Sequence, residues 1–153
     1  KPDRAQLLAI YAGSEQLLAQ TEQLLQTLLQ TTGSVAGPLL DQAGRQRMLC
    51  QRLSSLYGMM AWGFEGQARQ RYEAVYSEFA AGLQTLQNST DNTPLISYSL
   101  NDLQRQLQRT QITAAASTET YVPGLIDRSV EKMLKRVDEL QAEYLVLARS
   151  LDG

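Results

Sequence analysis

Histidine is absent from the 153 residues of this chain. With it go the commonest general base near neutral pH, the commonest metal ligand and every Ser-His or Cys-His nucleophile pair. A single cysteine, Cys50, excludes an intrachain disulfide and a cysteine zinc cluster. No apolar run approaches the roughly 20 residues of a membrane span; the longest, Leu7 to Ala12, is far too short. No signal-peptide pattern opens the chain, which starts at Lys1 without a Met. The numbering is therefore expected to begin after a removed or excluded segment, and membrane contact only through segments outside this chain. Proline, at 4 residues, and glycine, at 10, are scarce. Charge of one sign is scarce too: 14 basic against 16 acidic side chains leave a net charge of −2. That balance argues against nucleic acid, which needs a dense basic footprint.

What is abundant is Gln, Leu and Ala, mostly good helix formers. Helical periodicity runs throughout, and no strand-like alternation of useful length interrupts it. The expected fold is all-α: an antiparallel four-helix bundle with an additional N-terminal helix, in one domain over 1–153. The N-terminal helix is expected at 1–31, where Ile10, Leu17 and Leu24 repeat every seven residues beside Tyr11, Leu18 and Leu25, with Gln on much of the other face. The second helix is expected at 38–63, opened by Pro38, whose missing N–H is harmless in a first turn. Its core stripe is Leu49, Leu53, Leu56 and Met60. The remaining helices are expected at 66–88, 95–117 and 121–150. Their stripes are Ala68, Tyr72, Val75, Phe79, Leu83 and Leu86; then Ile96, Leu100, Leu103 and Leu107; then Ile126, Val130, Met133, Val137, Leu140, Tyr144, Leu147 and Leu151. Sustained three-four spacing of this kind suits long helices in a bundle.

The second helix carries an unusual second stripe, roughly opposite its core face: Ala43, Arg47, Cys50, Ser54, Gly58 and Ala61. Apart from Arg47 these are small. Glycine inside a helix costs about 1 kcal/mol against alanine, so Gly44 and Gly58 call for a reason. Close approach of another helix is one, and a second copy across a two-fold axis is a natural partner. Arg47 would then face its symmetry mate, and two such guanidinium groups need something negative between them. A planar anion with several acceptor oxygens suits their donor forks. Arg45, Arg47, Arg52, Arg69 and Arg71 also cluster here, with Glu65 the only acid between Arg45 and Arg71. On periodicity alone a second reading stands beside this one, in which Arg45, Arg47 and Arg52 are surface arginines. Met48, Met59, Met60 and Trp62 read as core packing rather than a cofactor box, and Cys50 as a small buried residue rather than a nucleophile.

The segment AGRQRMLCQRL, 43–53, closely resembles the signature of PilJ-type sensor domains, the N-terminal domain family of type IV pili methyl-accepting chemotaxis transducers. It is similar, more loosely, to the P-box of the NarX-like nitrate and nitrite sensor kinases. Gly44, Arg47 and Met48 match the box's glycine and arginine-methionine pair, and Arg52 matches its second arginine. The segment from Tyr121-Val122-Pro123 to Val130-Glu131-Lys132-Met133 also looks like the closing helix of PilJ-type domains. The resemblance implies a periplasmic four-helix sensor bundle that dimerises and clasps a small anion, nitrate or nitrite, between two subunits. It carries the ligand contact to Arg47, with Gly44 as a backbone contact and Met48, Arg45 and Arg52 around them. Two departures stand out. A Gln-rich amphipathic helix precedes the box where the kinases have a membrane helix, and Cys50 replaces the usual serine.

The expected function is therefore a ligand-binding sensor domain of a signal-transduction or chemotaxis protein. It is expected to work as a homodimer, with no catalytic residues, no cofactor and no metal. The alternative is a helical scaffold or protein-interaction module without a small ligand, which Gln-rich helices with seven-residue repeats also suit. An enzyme is disfavoured, because no pair of carboxylates is spaced for a di-metal site and the Glu-x-x-His signature is impossible without histidine.

Overall fold

A computed structural model describes residues 3–32, 37–116 and 123–151. They form five helices: α1 Arg4–Thr32, α2 Gly37–Ala61, α3 Glu65–Gln87, α4 Pro94–Ala116 and α5 Pro123–Leu151. Among the described residues there is no strand. The expected helix positions 1–2, 117 and 121–122 lie outside the described residues. No described helix is long and apolar enough to cross a membrane.

Local chemistry sets the ends. At the start of α1 the Asp3 carboxylate accepts from Ala5 N–H at 3.4 Å, and Gln6 Oε1 accepts from Asp3 N–H at 3.0 Å. This reciprocal pair satisfies donors that have no partner within the helix. The second helix ends at Ala61, two residues before the expected 63, because Gly63 takes a left-handed φ of 87°. Gly63 N–H then donates to Met60 O at 3.0 Å and Phe64 N–H to Met59 O at 3.0 Å. These two bonds close the helix as a Schellman turn, in which a side chain at the glycine would be strained. The loop before α4 ends in Thr93, whose hydroxyl accepts from Ile96 N–H at 3.2 Å, with Pro94 as first helical residue.

α2 touches α3 and α5, α5 touches α4, and α4 touches α3; α1 lies against α2. One core fills the space between α2, α3, α4 and α5. Leu49, Leu53, Leu56, Phe79, Leu83, Leu86, Ile96, Leu100, Leu103, Leu107, Met133, Val137 and Leu140 are all fully buried. Each such side chain stabilises the fold by about 1.5–3 kcal/mol relative to exposure. The expected stripes of α2, α3 and α4 are the buried ones throughout, and that of α5 holds from Ile126 to Tyr144. Near the end of α5 the stripe fades: Leu147 is half-buried and Leu151 exposed.

One expectation needs correcting. Trp62 is not core but 55% exposed, because the chain turns at Gly63 just after it. In α1 the two neighbouring repeats differ in burial, the side chain of Leu25 lying outside those described. Tyr11 is buried and Leu18 half-buried, whereas Ile10, Leu17 and Leu24 are 67%, 65% and 63% exposed. Among the described residues the helix has a protein surface on one side only; Leu17 and Leu24 point away from it, and Ile10 lies at its edge, beside Met59 and Trp62.

Candidate functional site: the arginine face of α2

Each arginine of α2 reaches a carboxylate of a neighbouring helix. Arg45 donates from Nε to Glu78 Oε1 of α3 at 2.8 Å, and from Nη1 to Glu22 of α1. The bond to Glu78, then the charge of Glu22, raise its pKa against the opposing effect of burial. Arg52 grips Glu15 of α1 with both prongs, Nε to Oε1 at 3.1 Å and Nη2 to Oε2 at 2.5 Å. Burial works hardest against its charge, yet the bond and charge of Glu15 still raise its pKa. Arg47 alone points outward. Its Nε donates to Asp138 Oδ1 of α5 at 2.7 Å, with side chains 47% and 53% exposed.

The structure therefore separates residues that the sequence groups together. Arg45 and Arg52 hold α1 in place. Glu15 and Glu22 are seven residues apart, and so are Arg45 and Arg52, paired in reverse order. α1 thus lies along α2 with its chain running the opposite way. Arg4 adds a third tie, its guanidinium 4.5 Å from the ring centre of Phe64. Sequence reading missed this role. The signal lies in matched seven-residue spacings of opposite charge, Glu15 and Glu22 against Arg45 and Arg52, which only a known pairing of α1 with α2 turns into contacts. Of the remaining arginines, Arg69 bonds Glu65 one turn earlier on α3, with Nε–Oε1 at 3.0 Å.

Gly44, Arg47 and Met48 do come together. With Leu18 and Thr21 of α1 they line a shallow groove of about 160 Å³ between α1 and α2. Glu22, Asp41 and Arg45 line it as well, so the acids there offset the arginines. The small-residue stripe divides. Ala43 and Cys50 are fully buried within this chain, and Ser54 Oγ lies 3.5 Å from Asp127 Oδ1 of α5. That flank belongs to the chain's own α5, which packs against α2 there. Gly58 is different: a methyl group there would meet open space, so packing within the described chain does not account for it. Burial, with a smaller push from the charge of Asp138, raises the Cys50 thiol to about 12 and leaves it unreactive.

Among the described residues no three of Cys, Asp and Glu gather as a metal site. No protein-family model, no curated protein and no solved structure matches this chain.

Proposed function

We propose that this chain is the sensor domain of a signal-transduction or chemotaxis protein, binding a small anion, nitrate or nitrite, between two copies in the periplasm. In this reading α2–α5 are an antiparallel four-helix bundle, α1 is the additional helix, and no reaction is catalysed. The pairings Asp102–Arg136 and Ser99–Glu143 between α4 and α5, and Arg47–Asp138 and Ser54–Asp127 between α2 and α5, support the antiparallel arrangement. Similarity of 43–53 to the PilJ-type signature supports the sensor role.

The observation that carries the anion reading is the position of Arg47. It sits on the outer face of α2, beside Gly44, and among the described residues its side chain is held by an exposed pair with Asp138 alone. Such a pair contributes about 0–1 kcal/mol, so a desolvated anion shared with a second copy can displace it. Binding between two chains would shift long helices relative to one another and so pass a signal along the bundle.

Calorimetric titration with nitrate tests this. Arg47→Ala should abolish binding with the circular dichroism unchanged, each lost charge-assisted contact weakening it by about 1.5–3 kcal/mol. Arg47→Lys should fail largely, since a point charge cannot reproduce the planar fork. Asp138→Asn should tighten binding by removing the competing carboxylate, and Arg69→Ala should change little. Unchanged affinity in Arg47→Ala would end the reading. The second reading, a helical interaction module, is favoured by one observation, the outward apolar stripe of α1.

A further inference from the structure

We propose that the outer face of α1 is a homodimer contact, in which Ile10, Leu17 and Leu24 of two copies pack together as a seam centred on Leu17. All three are close to two-thirds exposed, and they recur at seven-residue intervals. That spacing keeps one stripe facing a partner helix over its whole length. α2 occupies the side of α1 that carries Tyr11, Glu15 and Glu22; Leu17 and Leu24 point away from it, and Ile10 stands at the rim of a groove shared with Ser55 and Met59 of α2, so α2 leaves most of the stripe uncovered.

Charge decides what covers it. From Ala5 to Thr32 the charged residues are Glu15 and Glu22, and both are held by arginines of α2. The exposed face is left with aliphatic side chains, Gly13, Gln20 and Thr27. A membrane surface is a poor match, because helices that lie on membranes carry Lys and Arg along their polar face. A strongly charged partner is likewise unmatched. The one charge in register with the stripe is Asp3, seven residues before Ile10, and in an antiparallel seam centred on Leu17 the two Asp3 side chains fall at opposite ends, so the face suits its own copy, with nothing on it repelling across a two-fold axis. The amides flanking the stripe can donate and accept equally, which also favours self-pairing.

α1 has 29 residues. A helix of that length extends about 43 Å, and a seam between two such faces buries on the order of 1,000 Å², the lower end for a specific interface. The dimer is therefore reversible and concentration-dependent. It forms without an anion, so it does not depend on the reading of Arg47.

Sedimentation equilibrium of the full chain without nitrate, from about 10 μM to about 1 mM, should show a monomer–dimer equilibrium. Leu17→Gln should raise the dimer dissociation constant roughly tenfold or more, as two buried leucines are lost at once. Its helix content should be unchanged, because Leu17 is exposed in the single chain. Leu17→Cys should form a covalent dimer on mild oxidation, and Cys50, fully buried, should not interfere. A strict monomer throughout this range would overturn the proposal. So would a dimer that Leu17→Gln leaves intact. A dimer that forms only with nitrate and survives Leu17→Gln would overturn this contact while leaving the anion reading standing.

Discussion

The two helix pairs α4–α5 and α1–α2 are joined by opposite means. Between α4 and α5 the contact is a continuous apolar seam, with Ile96, Leu100, Leu103 and Leu107 meeting a stripe that runs from Ile126 to Tyr144. Its polar groups are auxiliary: Asp102 accepts from Arg136 Nε at 3.0 Å, and Ser99 Oγ donates to Glu143 at 3.1 Å. Between α1 and α2, Tyr11 is the one buried apolar side chain described on α1, and the helix is held by Glu15–Arg52, Glu22–Arg45 and Arg4 over Phe64. Both pairs have helical apolar periodicity in sequence. The difference is that α4 and α5 have other helices closing the core around them, and α1 does not. Stability is therefore concentrated in α2–α5, and α1 is an appendage whose attachment is ionic.

The largest effect that tests this contrast comes from paired leucine truncations. Leu103→Ala should cost about 2–5 kcal/mol by opening a cavity in the closed core. Leu17→Ala, measured on dilute protein, should stay within about 0.5 kcal/mol. Urea denaturation gives both numbers, and comparable losses would break the comparison. Replacing Glu15 and Glu22 together by Gln sharpens it from the other side. Each lost pair should weaken α1 docking by about 1 kcal/mol. Amide exchange should quicken along α1 while α4 and α5 keep their protection.

A smaller effect concerns a tight spot between α2 and α3. The side chain of Gln46 is fully buried over Gly82, with neither amide atom hydrogen-bonded, and Gln42 reaches the same spot. A methyl group at Gly82 would collide with both amides. Gly82→Ala should therefore destabilise by about 1–3 kcal/mol. In a Gln46→Ala background the sign should invert, since Gln42 is only half-buried and can yield, and alanine then contributes its helix propensity of about 1 kcal/mol. A double-mutant cycle by thermal unfolding checks the inversion.

The smallest effects are two carboxylates on the α4–α5 seam that titrate in opposite senses. Burial raises the Glu143 pKa above its ordinary 4.5, against the bond from Ser99 and the charge of Arg136. Its contribution to stability is therefore present below the unfolded value and lost as pH rises through the folded one. Burial also works to raise Asp102, but bonds from Arg105, Gln106 and Arg136 outweigh it and leave its pKa below the ordinary 3.8. Its contribution is present above that value and lost as pH falls through the depressed one. At neutral pH Glu143→Gln should thus stabilise and Asp102→Asn destabilise. Both differences should shrink in acid, and a stability–pH series on the two variants should show curves of opposite slope.

The helices were legible in the sequence because their signal is local. Spacings of three and four between apolar residues, and breakers such as NSTDNTP at 88–94, depend on nothing distant. For the same reason the core lists of α2, α3 and α4 could be read residue by residue, and the seven-residue spacing of Ile10, Leu17 and Leu24 was visible at once. Only the tertiary structure decided which apolar stripe is covered. A stripe is buried when a second surface reaches it, and among the described residues α1 has α2 on one side and nothing covering Leu17 and Leu24 on the other. The arginines divide in the same way. Their clustering at 45–52 is a property of the sequence, and it marked the segment as unusual. Which of them point to a carboxylate of the chain's own helices depends on helix rotation and on which neighbours run alongside. That geometry assigns Arg45 and Arg52 to holding α1 and leaves Arg47 on the outer face.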